Sequence, residues 1–356
     1  MAEADQRDER SRASGKAWLS ATAALTACSL VAVVALAPPA GAAPVRALSW
    51  LLFTGSSVHV ASTGWLFVLP AVRGYAKQHR LRCVWIPVCL IGATAIAAAV
   101  IRPSAFQWLL LPYFSWQFYH YQKQNIGMAA LAAATSQVRP LSRTERRSLL
   151  LAGLATIGAT AGDPRLLGLD IASHAPWLRL ASLATFAVAV AAGVLALATR
   201  PSAARPAGFT AIYLTSLLFG LPAFVFASPY AAIGGMTVAH GLQYLMLISV
   251  IASQGDAAAT RSSRLVRLAL LANIALIGGV LLSAASHLHD SSQVGRFVFG
   301  AYLGVVMAHF VIDAGIWRMR DPLARKFMTE SVPFLLPPPA ITPVAAVDAA
   351  PVPVAR

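Results

Sequence analysis

The chain has 356 residues, 58% hydrophobic and 12% charged, with a mean hydropathy of +0.66. A soluble domain of this length carries roughly 25% charged residues, so the composition excludes a water-soluble fold and reads as an all-α polytopic transmembrane bundle. The net charge of +15 does not point to nucleic acid, because the basic residues cluster in short loops between apolar runs. There they set orientation and meet anionic headgroups.

Residues 1–16 hold four acidic and four basic side chains and read as a disordered cytosolic arm. A first apolar span is expected over Ala17–Ala37. The Ala-x-Ala pattern after it resembles a signal-peptidase site, but the run exceeds the 7–15 residues of a signal core, so a retained span is expected. Span two covers about Ala47–Val72, span three Cys83–Ile101, kinked or cut short near Pro87, and span four Ala105–Gly127, with helix continuing toward Thr135. Spans five and six lie at Leu149–Gly162 and Trp177–Thr199. Span seven, Phe209–Ala227, is broken by Gly220-Leu-Pro222, an irregularity suited to lining a cavity. Spans eight to ten follow at Tyr230–Ser253, Leu265–Ser286 and Phe297–Trp317. The helical domain is thus expected over 17–326, with a disordered Pro/Ala-rich tail over 327–356.

Charge asymmetry supports this count. With ten spans and a cytosolic N-terminus, the basic clusters fall after spans two, four, six, eight and ten, all inside. The expected topology is N-in/C-in, in a bacterial-type cytoplasmic (inner) membrane. Cys28, Cys83 and Cys89 form no C-x-x-C pair, which argues against a disulfide framework or thiolate metal site. A Walker A loop, an H-E-x-x-H run and a prenylation box are absent from the sequence, which disfavours P-loop ATPase and zincin chemistry.

Four spans carry one histidine each: His59 in Gly55-Ser-Ser-Val-His, His120 in Phe118-Tyr-His-Tyr-Gln, His240 in Ala239-His-Gly-Leu-Gln-Tyr244, and His309 in Ala308-His-Phe-Val-Ile-Asp313. In this topology all four spans run outside to inside. At about 1.5 Å per residue, His59 and His309 lie roughly 18 Å from the outer end of their spans. His240 is somewhat shallower and His120 somewhat deeper. An ionisable group at that depth must face the bundle interior and find a partner. Each histidine also has polar neighbours at helical spacing: Asp313 beside His309, Gln117 and Gln124 beside His120, Thr237, Gln243 and Tyr244 beside His240, and Ser56, Ser62 and Thr63 beside His59. Asp313, Gln243, Gln117 and Gln124 are the expected residues for orienting the rings.

Three readings follow: a shared metal or cofactor site, a proton or substrate path, and unrelated structural histidines. For a metal, neutral imidazoles suit iron, copper, zinc or nickel, and the scarcity of intramembrane carboxylates disfavours a di-iron centre. Non-haem iron comes first, with copper and haem as alternatives. His287 and His289 read as an exposed cap on span nine, and His79 and His174 as loop residues. Trp108, Tyr113, Trp116 and Tyr119 suit either the interface or a substrate wall.

The isolated intramembrane histidines His59, His120, His240 and His309 give the chain a resemblance to the membrane-embedded retinal-forming (Brp/Blh-type) carotene dioxygenases. The resemblance implies one iron held by histidines from several helices. The sequence departs from that pattern where the family places two ligands one turn apart on one helix, since the i+4 partner of His309 is Asp313. The runs around His240 and His309 also look like those of uncharacterised polytopic bacterial membrane proteins. The expected function is an oxygenase or oxidase acting on a lipophilic isoprenoid or lipid from the bilayer. The alternatives are a proton-coupled transporter using the same histidines and a haem-binding electron-transfer protein.

Overall fold

The computed structural model describes residues 2–39, 42–171, 175–254, 261–289 and 292–336, and these contain helices but no strands. His174, Asp290 and most of the expected tail lie outside the described residues. In chain order the helices are α1 Ala2–Leu36, α2 Arg46–Leu66, α3 Pro70–Gln78, α4 Leu81–Val100, α5 Pro103–Thr135, α6 Arg143–Gly162, α7 Pro176–Ala198, α8 Ala207–Leu217, α9 Pro222–Val225, α10 Tyr230–Gln254, α11 Arg261–Ser286, α12 Gln293–Ile316 and α13 Pro322–Ser331. Proline opens α3, α5, α7, α9 and α13, where its missing N–H is one the helix does not need. Pro87 does not end α4, because a π-turn at Leu81–Trp85 precedes it and the helix runs on to Val100.

Six of these helices are long and apolar enough to cross a membrane: α1 from Ser11 onward, α4, α7, α10, α11 and α12. They mark the chain as a multi-pass membrane protein. The pair α2 and α3 adds a seventh if its 85° bend is taken within one crossing. The remaining expected spans fall short for local reasons. α5 carries Gln117, His120, Gln122, Gln124 and Asn125, and α6 spends its first turns on Arg143, Glu145, Arg146 and Arg147. α8 stops after eleven residues.

The expected arm and tail differ from the structure. Helix α1 begins at Ala2, so the polar residues at its start continue the same helix. At the other end, Phe327–Ser331 belong to α13, and Met328, Val332 and Leu335 are buried against the bundle. Thr135 Oγ1 donates to the Leu335 carbonyl at 2.9 Å, so the first ten tail residues are docked by apolar burial. The break at Gly220 is likewise pressed against the Thr156 side chain, with no room for a Cβ.

Packing is tight where small residues allow it. Gly300 and Gly304 bring α12 onto the backbone of α4 near Thr94 and Ile91, and Gly278 and Gly279 bring α11 onto α2 at Ala61 and Val58. A buried ion pair ties α6, α7 and α8. Glu145 closes a capping box with Ser142. Its carboxylate accepts from Arg200 Nε at 2.5 Å and from the second Arg200 nitrogen at 2.7 Å. Arg200 also donates to the carbonyls of Arg139 and Pro140 and lies 4.5 Å over the Phe209 ring.

Burial pushes the Glu145 carboxyl upward, but the hydrogen bonds from Arg200 and Ser142 outweigh it and hold the group below its ordinary value of 4.5. The pair therefore stabilises the fold fully above that value and loses its contribution as pH falls through the lowered one. Glu145→Ala strands a buried guanidinium and is expected to cost roughly 3–5 kcal/mol, read as a lower thermal midpoint in detergent. A Glu145→Leu/Arg200→Met pair is expected to recover most of that loss and to lack the acid-dependent slope.

Candidate metal centre

The four histidine helices meet because their backbones are shaped to approach. A π-turn at Thr54–Val58 directly precedes His59, and another at Tyr230–Gly234 opens α10 ahead of His240. Such turns break the α-helical phase and re-aim the following side chains. Gly55 and Gly241 face each other across α2 and α10. A Cβ on Gly55 would lie 2.5 Å from Val238 Cα, and one on Gly241 would overlap the Gly55 carbonyl. No other residue permits that approach, and it places His59 and His240 side by side.

The imidazoles form a closed ring of four. Centroids lie 5.0 Å apart for His59 and His240, 5.0 Å for His240 and His120, 5.2 Å for His120 and His309, and 5.1 Å for His309 and His59. All four are buried, with none more than 8% exposed. One ligand atom each from His59, His240 and His309 lie within 4.8 Å of one another, and the same holds for His120, His309 and Asp313. Atoms that close can share one ion with small side-chain adjustments, since metal bonds to imidazole and carboxylate are about 2 Å. Tyr121 stacks on His240 at 4.2 Å and Phe310 on His120 at 4.5 Å, walling the cluster with aromatic faces.

Hydrogen bonding fixes His309 from outside the ring of four. Tyr244 OH donates to Asp313 Oδ1 at 2.9 Å. Its one proton is thus used, so Thr63 Oγ1, 2.9 Å away, donates to the tyrosine oxygen. Thr63 must then accept from His309 Nδ1 at 2.6 Å. With Asp313 ionised, the chain of donors puts the His309 proton on Nδ1 and leaves Nε2 as a bare lone pair. That lone pair faces Asp313 Oδ2 at 3.6 Å. Both nitrogens of His59 and His240, Nε2 of His120 and His309, and Asp313 Oδ2 make no hydrogen bond. Each of the four rings therefore has at least one nitrogen, and Asp313 one oxygen, without a hydrogen-bond partner, and one such atom from each of three residues can meet at a common point.

Asp313 stands where the sequence places it, but the amides do not touch the ring nitrogens. Gln117 donates to the Tyr121 hydroxyl, which in turn donates to Thr237 Oγ1 at 3.2 Å. Gln117 therefore acts on His240 only through the stacked Tyr121. Gln124 bonds the His240 carbonyl at 3.0 Å and Gln243 Oε1 at 2.9 Å, while Gln243 donates to Thr26 of α1 at 2.8 Å. These two amides lie on the flank toward α1 and fasten backbones. The residues that tie Asp313 and His309 together are Thr63 and Tyr244. Their helical spacing to His59 and His240 was visible, but the cross-helix bonds were not.

The remaining candidates separate cleanly. Tyr113 is buried and Trp116 packs on Phe310 at 5.9 Å, whereas Trp108 and Tyr119 are exposed on the helix surface. His287 is exposed with Nδ1 2.7 Å from the Ser283 carbonyl. His79 stacks on Tyr75 at 4.1 Å and pairs with Asp321 at 3.4 Å. The three cysteines are free.

No family profile, curated protein or solved structure matches this chain.

Gly241→Ala is expected to force α2 and α10 apart and to destabilise the protein by about 1–3 kcal/mol or more. Gly127→Ala, on α5 with nothing within 4 Å, is expected to leave the thermal midpoint unchanged or raised.

Proposed function

We propose that the chain is an integral membrane metalloprotein whose site is formed by His59, His120, His240 and His309 with Asp313. The observation that carries this reading is the convergence of four buried imidazoles and Asp313, each with at least one nitrogen or oxygen that makes no hydrogen bond. A cation among them takes one nitrogen from a ring and a carboxylate oxygen, and so gives buried lone pairs a partner. The donor set of several imidazoles and one carboxylate favours non-haem iron, with copper next. Rings only about 5 Å apart around the whole cluster leave no slot for a porphyrin, which sets haem behind both.

Iron held there would supply activation of dioxygen, and an oxygenase or oxidase acting on an isoprenoid or other lipid fits the apolar surroundings. The protein's own part is to hold and shield. Thr63 and Tyr244 fix the His309 tautomer and the Asp313 rotamer, Tyr121 and Phe310 hold ring planes, and the helices exclude water. A proton-coupled carrier is less well supported, because the hydrogen-bonded chain from His309 closes back on Asp313 instead of leading to either face. We place the protein in a bacterial-type cytoplasmic membrane, with ten crossings and both termini inside, on the strength of the basic loops. In that arrangement the short or polar segments α5, α6 and α8–α9 cross by packing against the six apolar helices.

Elemental analysis of protein purified without chelator is expected to find one iron or copper per chain, and His120→Ala or His240→Ala to lose at least tenfold in metal content. Thr63→Val is expected to retain the metal with weakened affinity, on the order of 10–100-fold, as for other residues that orient ligands. Metal-free wild type, prepared in the presence of iron and copper, would overturn the reading.

A further inference from the structure

Helix α3 turns 85° from α2, and its pattern suits the membrane surface: Val72 and Tyr75 are buried, while Arg73, Lys77 and Gln78 face out. Arg73 locks the bend by donating to the carbonyls of Phe67 at 3.2 Å and Val68 at 2.6 Å. His79 closes the other end of α3. It stacks on Tyr75 and pairs with Asp321, which also accepts from the N–H groups of Leu323 and Ala324. The guanidinium of Arg73 and the carboxylate of Asp321 are therefore already engaged.

Between α3 and the first turns of α4 lies a groove of about 320 Å³, lined by Ala76, Lys77, Arg80, Val84 and Trp85. Its wall is almost wholly apolar, so Lys77 and Arg80 lend it their carbon stems and hold their charges at its mouth. Both are exposed, and neither makes a hydrogen bond or ion pair among the described residues. The groove continues along α4, where Leu81, Trp85, Val88 and Ile96 are each more than half exposed. Trp85, Val88, Gly92 and Ile96 share one helix face. Nothing lies within 4 Å of where a Cβ on Gly92 would stand, so the strip has a notch there. From Trp85 to Ile96 it runs about 16 Å, close to half of a hydrocarbon core about 30 Å thick. Two open cations thus stand at the head of an apolar track one leaflet deep.

We propose that this corner binds one glycerophospholipid of net negative headgroup, with its phosphate between Lys77 and Arg80 and an acyl chain along Trp85, Val88 and Ile96. A zwitterionic phospholipid offers the same phosphate but brings an ammonium group to two cations, with Asp321 already held by His79. The charge at the mouth therefore selects the anionic lipid, and the apolar track selects a lipid over a free phosphate. The site lies apart from the metal centre and does not depend on it.

The test uses the full chain in an uncharged detergent, titrated with phosphatidylglycerol or phosphatidylcholine carrying brominated acyl chains. Bromine quenches tryptophan emission on contact, and the Trp85 share is the difference between wild type and Trp85→Phe. Half-quenching of that share is expected at about 30-fold less phosphatidylglycerol than phosphatidylcholine, about fivefold for each cation. Lys77→Gln/Arg80→Gln is expected to remove this advantage and to leave the phosphatidylcholine curve unchanged. Arg143→Gln/Arg147→Gln takes the same charge from exposed positions on α6 and is expected to keep the advantage. All four residues are exposed, so both double variants should match the wild-type thermal midpoint without added lipid. Equal quenching by the two lipids, or an equal loss in the two double variants, would overturn the proposal.

Discussion

Oδ2 of Asp313 and Nε2 of His309 face each other at 3.6 Å in a buried interior, neither with a hydrogen-bond partner, and this constraint governs the centre of the molecule. In water the two would be separated by solvent. Here Tyr244 and Thr63 hold both in place from behind, so neither side chain can turn away without breaking the bonds that fix it. Each buried polar atom left without a partner costs about 1–3 kcal/mol. Seven such atoms around one point approach the whole net stability of a typical domain, about 5–15 kcal/mol. Structural histidines scattered in a bundle would not accumulate such a debt at one place. On the reading proposed above, a bound cation would offset part of that cost by taking one nitrogen from a ring and an oxygen from the carboxylate.

The fold meets this constraint by burying the apolar helices that carry histidines and turning other apolar helices outward. α10 and α12 are mostly buried, whereas α11 and α7 turn most of their surface outward. The inner helices can afford polar residues because their backbones are satisfied internally and the polar side chains of the cluster are buried within the bundle. Close approach is concentrated at Gly55 and Gly241, immediately beside the rings they bring together. Two of the three π-turns among the described residues lie on the same helices, ahead of His59 and His240, and the third opens α4.

What the sequence revealed follows from which properties are local. The depth of His59, His120, His240 and His309 depends only on counting residues along apolar runs, and the four do converge. Asp313 was visible one helical turn from His309 for the same reason. The helix boundaries around Trp177–Thr199 and Tyr230–Ser253 lie within two residues of those observed, and the span expected over Ala105–Gly127 continues as helix to Thr135. The roles of Thr63 and Tyr244 could not be read in this way. Their bonds cross between α2, α10 and α12, and no spacing within one helix encodes a partner on another. Glu145 and Arg200 are a similar case: the Ser142-x-x-Glu145 capping pattern is local, but the guanidinium that neutralises it arrives from fifty-five residues on. The docked residues up to Leu335 look like a polar-poor tail until the surface of α5 beside Thr135 is known to receive them.

The same distinction bears on how an apolar molecule could meet a site with no open path from water. A cluster enclosed by helices that pack through glycine, as α4 packs on α12 and α2 on α10, admits nothing along those faces, because backbone cannot move aside. Aromatic side chains can. The α5–α12 seam is the boundary of the cluster made of rotatable rings, with Phe310 stacked on His120 at its inner end and Phe299 against Phe106 at its outer end. Pro112 lies inside α5 along this stretch. The N–H it lacks frees a carbonyl one turn earlier and weakens the helix there. On the reading proposed above, a ligand set anchored on the opposite side by Thr63 and Tyr244 stands beside a yielding aromatic wall, through which a lipophilic chain would enter from the membrane without disturbing those bonds.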